Sequence, residues 1–329
     1  GYHLVNVILH LLATLCVFGF VREVLWQTGQ DRDLSQVAAL MAALVFGVHP
    51  VLSDAVNSVF NGSEIYVTIG VAGGLWYLLR HQQQNPVRAW LLVSFLYLWA
   101  LLYRESAVSM PALAVLVLWM TSQHNWMVRL KRCLPVLLLL LPLAIYIAMR
   151  SHALEPPAEI ESTTGPVAAL QETVNEPASS LATESVQEAQ DIFARLNVRS
   201  KPERTTQAMV VWFDGLRLTA WPHPLVLIHE ISSTPVWLAL AVQLALLSLA
   251  VYALFRGRPV FFTGLAFFYL AILPSSRSIS EGLLPRLLLE RMLYLPSGGL
   301  VLVLAAGFGL LAQKVSLRVS LGCAVLLVF

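Results

Sequence analysis

The stretch TPVWLALAVQLALLSLAVYALF (234–255) runs for 22 residues without a charged side chain. A helix of about 20 apolar residues is long enough to cross the hydrocarbon core of a bilayer. Other apolar runs fill most of the chain, which is 57% hydrophobic and only 12% charged. A soluble domain carries roughly twice that share of charged residues. We therefore predict an all-α protein, a polytopic bundle of helices embedded in a membrane.

The apolar runs predict about ten membrane spans. Their approximate limits are 3–26, 34–50, 64–80, 88–103, 107–121, 133–149, 234–255, 259–274, 292–312 and 318 onward. The shorter runs must borrow flanking residues or lie inside the bundle. The chain starts without Met, and Gly1 leads directly into an apolar run, while its last residues also lie within one. We therefore expect a fragment that is truncated at both ends.

A stretch of different composition separates two groups of spans. Residues 150–205 are rich in Glu, Ser, Thr, Ala and Pro, so they bury too little apolar area to offset the entropy of ordering. We predict a flexible external loop there, periplasmic or lumenal. We expect residues 206–233 to form an amphipathic interfacial segment. Residues 1–149 and 234–329 are then the first and second parts of the transmembrane core.

The distribution of basic residues predicts the orientation. If the loop after the first span is cytoplasmic, the short cytoplasmic connections hold eleven of the 21 Lys and Arg residues. That placement agrees with the positive-inside rule, which the opposite orientation would break. Only three of the 19 acidic residues fall on the cytoplasmic side. The other face therefore carries an excess of acidic residues that needs an explanation.

Three polar interruptions fall together on that external face. They are HPVLSDAVNSVFNGSE (49–64), YRESAVSMP (103–111) and LPRLLLERMLYLPSGG (284–299). A charge at the edge of an apolar run is costly unless it has a partner or a function. We therefore predict a polar site on this face.

The first interruption contributes a carboxylate pair, Asp54 and Glu64. Such a pair can orient or deprotonate a hydroxyl group, and hard oxygen ligands can also hold a divalent cation. These two residues are candidates to line an acceptor or metal region, with His49 as a minor metal candidate. Pro50 makes His49 easier to explain as the end of a helix. The alternative for the whole stretch is an ordinary solvated turn.

The second interruption contributes two adjacent opposite charges, Arg104 and Glu105. Neighbours on a helix point about 100° apart, so each of the two needs a partner elsewhere. We predict that they take part, with Glu290, in an ion network that holds the external cavity together. A purely structural ion pair between helices explains them equally well.

The third interruption contributes Arg286, Glu290, Arg291 and Tyr294. Arg286 and Glu290 are spaced to pair along a helix, which would leave Arg291 available. A guanidinium group binds phosphate or carboxylate through two parallel hydrogen bonds. Arg291, helped by Arg286 and Tyr294, is therefore the candidate anion-binding group. The alternatives are an arginine that reaches the lipid head groups and an ordinary interfacial tyrosine.

Carboxylates and arginines together suit chemistry on a lipid-linked phosphate, and they suit an anion transporter nearly as well. The order of the motifs favours the first. These motifs are GYHLVNVILHLL (1–12), AALVFGVHPVLSDAVNSVFNGSE (42–64), LLYRESAVSMPAL (101–113), WPHPL (221–225) and LLLERMLYLPSGGL (287–300). The set resembles the polytopic O-mannosyltransferases that carry C-terminal tetratricopeptide repeats, together with their bacterial relatives. These belong to the GT-C superclass of membrane glycosyltransferases.

The resemblance is carried by three short patterns. The family pattern HPVHTEAV…GRAD is similar to 49–64, K-E-S-A is similar to 104–107, and E-R-x-L-Y-L-P-S is matched by 290–297. Arg104 replaces the lysine of the second pattern. Asn61 and Gly62 stand where the first pattern has Gly and Arg, so the charge of that loop departs from the family.

The resemblance implies a GT-C-like fold and an inverting transfer of a sugar, with mannose as the expected sugar, from a polyprenyl-phosphate donor. It implies a protein or glycan acceptor on the external or lumenal face of a bacterial inner membrane or an endoplasmic reticulum membrane. Arg291 would face the donor phosphate, and the catalytic acid would lie upstream of Gly1. The expected partners are the lipid bilayer, the lipid-linked donor and the acceptor, without nucleic acid, and a divalent cation is a candidate cofactor.

Two other function classes remain open at this stage. A transporter or flippase for an anionic lipid or solute would use the same charges, although it should place them near the middle of the membrane. A membrane scaffold would recruit partners through residues 150–205.

Overall fold

The computed structural model of the chain describes residues 1–58, 62–153, 201–223, 228–230, 234–280 and 287–314. Nearly all of this part is helical, which confirms the predicted all-α class. The α-helices are α1 (Tyr2–Gln27), α2 (Arg32–Val48), α3 (Ser53–Asn57), α4 (Ser63–His81), α5 (Pro86–Tyr103), α6 (Met110–Met120), α7 (Trp126–Cys133), α8 (Leu140–Ala153), α9 (Lys201–Ala220), α10 (Val236–Phe255), α11 (Pro259–Ser280) and α12 (Tyr294–Lys314).

Short 3-10 segments and one strand pair complete the described structure. The 3-10 segments are Pro50–Leu52, Glu105–Ser109, Leu134–Leu139 and Glu290–Leu293. Strands β1 (Ile228–Glu230) and β2 (Leu287–Leu289) pair in antiparallel fashion. This pairing joins the segment before α10 to the segment before α12.

Helices occupy nine of the ten predicted spans, and the tenth, from 318 onward, lies outside the described residues. Within the described residues, six helical segments are long and apolar enough to cross a membrane by themselves: α1, α5, α7 with α8, α10, α11 and the segment that contains α12. A seventh candidate is α2 with the helical residues 50–57, which continue it at an angle of 54°. The chain is therefore an integral membrane protein.

Helix α4 is less apolar than the six spans because it lies inside the bundle. It packs between α1 and α5, and twelve of its nineteen residues are buried. A helix surrounded by protein rather than lipid tolerates charged ends, and α4 carries Glu64 in its first turn and Arg80 in its last. The predicted span 64–80 is thus a helix of the core.

Helix α1 shows how the bundle meets the lipid. Leu4, Ile8, Leu11 and Leu15 are exposed at spacings of three and four residues, so they form one apolar stripe. The opposite side of α1 contributes buried residues such as Phe20 to the core. An exposed apolar stripe suits contact with the hydrocarbon of a bilayer.

Helices α11 and α12 cross at close range. A Cβ atom added to Gly264 would lie 2.6 Å from the carbonyl oxygen of Gly299, and one added to Gly299 would meet the carbonyl oxygen of Gly264. Small residues at such crossings let two backbones approach in a membrane. The crossing fixes where the first turn of α12 stands relative to the rest of the bundle.

Helix α9 occupies the first part of the predicted interfacial segment. Its residues Val211, Gly215 and Leu218 are buried, and the helix packs against α10 and α11. Trp221, just beyond its end, is 72% exposed. Most of the predicted external loop, residues 154–200, lies outside the described residues.

Candidate functional site

The structure brings the three polar interruptions together at one end of the bundle. The 3-10 turn 50–52 and helix α3 pack against the turn 290–293. Arg104, at the C-terminal end of α5, reaches the first turn of α4. Stretches that are far apart in sequence therefore form one polar cluster, which we define as Asp54, Glu64, Arg104 and Arg291.

Glu64 and Arg104 form the centre of the cluster. Arg104 Nε lies 3.0 Å from Glu64 Oε1, and the glutamate side chain is only 2% exposed. The contact is an ion pair without an aligned hydrogen bond, because Oε1 does not meet hydrogen-bond geometry. The other carboxylate oxygen, Oε2, accepts a hydrogen bond of 3.1 Å from Ser106 Oγ. Both oxygens of this buried acid are therefore engaged.

The other two members of the cluster are Asp54 and Arg291. Asp54 is 4% exposed, whereas Arg291 is half-buried. Arg291 lies within electrostatic range of the carboxylates of Asp54 and Glu64 and of the guanidinium group of Arg104. Two buried carboxylates thus lie near two guanidinium groups at the edge of the apolar bundle, an arrangement in which opposite charges lower the cost of burying one another.

Tyr294 connects α12 to α1 in the interior of this end of the bundle. It is completely buried, and its hydroxyl group lies 2.5 Å from His10 Nδ1. The other ring nitrogen of His10, Nε2, lies 2.9 Å from the carbonyl oxygen of Gly47 and must donate to it. In neutral histidine Nδ1 then accepts from the tyrosine hydroxyl. Tyr294 is therefore a residue of the core and not an interfacial one.

His49 marks the break between α2 and the following turn, as its position before proline predicts. Its Nδ1 accepts a hydrogen bond of 3.3 Å from the backbone N–H of Val51, and its Nε2 lies 2.9 Å from the carbonyl oxygen of Thr219 in α9. Both ring nitrogens are thereby used. His49 connects the break in α2 to the end of α9.

The donor atoms at this end do not fit the divalent cation expected for the acceptor or metal region. Among the described residues, no three His, Cys, Asp or Glu side chains are grouped closely enough to hold a metal ion. Both nitrogens of His49 and both oxygens of Glu64 already have protein partners. We therefore derive no step that requires a metal at these residues.

Glu105 does not join the ion network predicted for it. It forms an exposed ion pair with Arg150 of α8. As predicted, Arg104 and Glu105 each have a partner elsewhere, because the backbone is extended at Arg104 and a 3-10 segment starts at Glu105. Glu290 is buried at 2% exposure in the same turn as Arg291.

The helix expected to connect Arg286 and Glu290 is not present among the described residues. Residues 287–289 form strand β2, and residues 290–293 form a 3-10 segment, so a spacing of four residues does not place two side chains on one helix face. Arg286 itself lies outside the described residues.

Two residues of α1 were missed by the sequence reasoning. Asn6 donates from Nδ2 to the carbonyl oxygens of Val56 and Ser58, at 3.2 and 3.1 Å, and so holds the chain that follows Asp54. His10 binds Tyr294. The sequence contains a pattern that could have indicated them, because Asn6 and His10 are polar residues four apart in an apolar run and lie on one helix face.

Comparisons with known proteins add one distant relative. The chain is 33% identical over 115 residues, 33% of its length, to Protein O-mannosyl-transferase Tmtc1 of Drosophila melanogaster. The chain spans only 12% of the length of that protein. No family profile and no solved structure matches the chain. The comparison supports a distant relationship to a membrane glycosyltransferase.

Proposed function

We propose that the chain forms the membrane core of a glycosyltransferase that takes a sugar, with mannose as the expected one, from a polyprenyl-phosphate donor. The acceptor would be a protein or a glycan on the external or lumenal face. The observation that carries this proposal is the meeting of Asp54, Glu64, Arg104 and Arg291 at one end of the bundle. The match to Protein O-mannosyl-transferase Tmtc1 supports the same class of reaction.

The donor chemistry requires positive charge at the edge of the lipid. When the bond between the anomeric carbon and the phosphate oxygen breaks, that oxygen keeps the electron pair and the polyprenyl phosphate gains negative charge. Guanidinium groups that already stand at this position stabilise that charge in the transition state. Arg291 is the better placed of the two arginines, because Arg104 is held against the buried Glu64.

The carboxylates then have supporting roles. Glu64 fixes Arg104, and Asp54 adds a second negative charge close to Arg291. Such surroundings orient a guanidinium group before the substrate arrives, which removes part of the entropic cost of binding. In the proposal Asp54 lies towards the acceptor, where a carboxylate can orient a hydroxyl group.

The test is sugar transfer by the full-length protein with Arg291→Ala. We expect the transfer rate to fall by about a hundredfold or more, because a group that stabilises developing charge is lost. Arg291→Lys should recover part of the rate, since lysine keeps the positive charge but cannot form a bidentate hydrogen bond with the phosphate. Arg258→Ala is a matched control, because Arg258 is exposed in the turn between α10 and α11.

Two results would count against the proposal. Wild-type transfer by folded Arg291→Ala would remove Arg291 from the site. Transport of an anionic lipid without any sugar transfer would favour the transporter alternative instead.

A further inference from the structure

A second polar region lies at the other end of the bundle. It is a cavity of about 580 Å³ between the C-terminal ends of α1 and α4, the N-terminal end of α2 and the connection from α6 to α7. Its volume falls in the range of roughly 300–1,000 Å³ that is usual for small-molecule sites. Along α1, Glu23 of this cavity stands about 20 Å from His10, so the cavity is separate from the polar cluster.

The charge of the cavity is strongly positive. The residues that line it include one carboxylate, Glu23, and four guanidinium groups, those of Arg22, Arg32, Arg80 and Arg132. Glu23 is 2% exposed, and its Oε1 lies 3.0 Å from Arg22 and 3.7 Å from Arg80. A single buried acid thus positions two of the arginines and compensates only one charge.

The other two arginines are held by neutral groups. Arg132 donates to Gln27 Oε1 at 2.9 Å, and the amide of Gln82, with its oxygen turned towards Arg132, accepts at 2.9 Å from Nε. Arg32 lies over the ring of Trp26, with its guanidinium carbon 5.1 Å from the ring centroid. Among the described residues, neither arginine forms an ion pair with a carboxylate. Amides and a ring orient these cations without neutralising them.

Ser122 supplies the observation that points to a ligand. It lines the cavity, is 2% exposed, and its hydroxyl group has no hydrogen-bond partner in the described part of the chain. A buried hydroxyl without a partner is unfavourable. Its neighbour Thr121, in contrast, uses its hydroxyl group in a bond to Val117. Because this oxygen is enclosed by the protein, Ser122 donates into the cavity, beside an excess of positive charge, only when its side chain changes rotamer.

We propose that this cavity binds a phosphate-type anion, either inorganic phosphate or the phosphomonoester head group of a lipid. The oxygens of such a group accept from the Ser122 hydroxyl group and from the guanidinium groups of Arg132 and Arg32. Tetrahedral phosphate matches planar guanidinium donors that approach from several sides. This binding does not depend on the proposed sugar transfer.

The experiment uses the chain in nanodiscs of phosphatidylcholine, dialysed to equilibrium against radiolabelled inorganic phosphate at fixed ionic strength. We expect saturable binding that Arg132→Gln weakens about tenfold or more, because a charge-assisted contact is lost. Ser122→Ala should weaken binding several-fold without changing the charge. Arg88→Gln is the matched control, since Arg88 is exposed at the same end of the bundle but does not line the cavity.

A second arm distinguishes the two sources of the anion. The same four proteins are mixed with short-chain phosphatidic acid or short-chain phosphatidylcholine, and the lipid retained after purification is counted. Retention of phosphatidic acid alone, lowered by Arg132→Gln and Ser122→Ala, identifies a lipid head group. Saturable binding of inorganic phosphate with the same pattern identifies a soluble ligand.

Other outcomes overturn the proposal. An equal loss with Arg88→Gln and Arg132→Gln would show a diffuse positive potential of the kind that salt screens. Failure of both probes to bind the wild-type chain, or full binding by Ser122→Ala, would also refute the site. If Arg132→Gln does not fold, as judged by thermal unfolding, Ser122→Ala alone decides.

Discussion

The guanidinium group of Arg104 lies 3.0 Å from the carboxylate of Glu64, and the Glu64 side chain is only 2% exposed. This pair joins the residue that follows α5 to the first turn of α4. It lies where the three polar stretches of the chain meet, so its loss would affect both the stability of the bundle and the shape of the polar cluster.

Arg104→Met should destabilise the protein by about 3 kcal/mol or more, because it leaves the Glu64 carboxylate buried beside a thioether. The double variant Arg104→Met with Glu64→Leu should lose less, since no unpaired charge remains. The free energy of unfolding in detergent measures both. Arg150→Met is the control, and it should change stability by about 0–1 kcal/mol because Arg150 and Glu105 are each 49% exposed. Equal losses for Arg104 and Arg150 would contradict the central role of the buried pair.

Tyr294→Phe should destabilise the protein by about 1–3 kcal/mol, because it removes the hydroxyl group that lies 2.5 Å from the buried His10 ring. Tyr97→Phe is matched in chemistry and burial, but the Tyr97 hydroxyl has no hydrogen-bond partner among the described residues. We expect that variant to be neutral or slightly more stable. Thermal unfolding of the two proteins side by side is sufficient, and a larger loss for Tyr97→Phe would refute the assignment.

Gly299→Ala should destabilise the crossing of α11 and α12 by about 1–3 kcal/mol, since the added methyl group meets the carbonyl oxygen of Gly264. Gly307→Ala, two turns further along α12, has open space around the new methyl group. It should be neutral or more stable by up to about 1 kcal/mol, because alanine favours a helix. Unfolding measurements that rank the two variants in the reverse order would disprove the close crossing.

His49→Ala should loosen the end of α9, because the ring donates from Nε2 to the carbonyl oxygen of Thr219. Hydrogen exchange of the amides in 208–220 should become faster. Thr219→Val is the control, since it keeps the carbonyl oxygen that accepts the bond. Unchanged exchange in His49→Ala would show that α9 is held by its apolar contacts alone.

Much of this arrangement could be predicted from the sequence. The apolar runs predicted nine helices within the described residues, and the proline after His49 predicted the end of α2. Counting spans placed Asp54, Arg104 and Arg291 on one side, where the structure indeed brings them together. These inferences succeed because the length of a helix and the cost of an isolated charge are local properties.

The errors concern contacts between distant segments. The helical spacing of Arg286 and Glu290 failed because Leu287–Leu289 pair with Ile228–Glu230, about sixty residues earlier in the chain. Glu105 forms an ion pair with Arg150 rather than with a residue of the cluster. Neither partner is indicated by a local pattern, because pairing between segments depends on how the helices pack.

Helix α1 holds one polar region at each end. Asn6 and His10 hold Val56 and Tyr294 near the cluster, and Arg22 and Glu23 line the opposite cavity. The helix is a continuous 26-residue segment without proline, about 39 Å long, and it lacks the usual cause of a kink. A shift of α1 along its axis, or a rotation about it, therefore moves both regions at once.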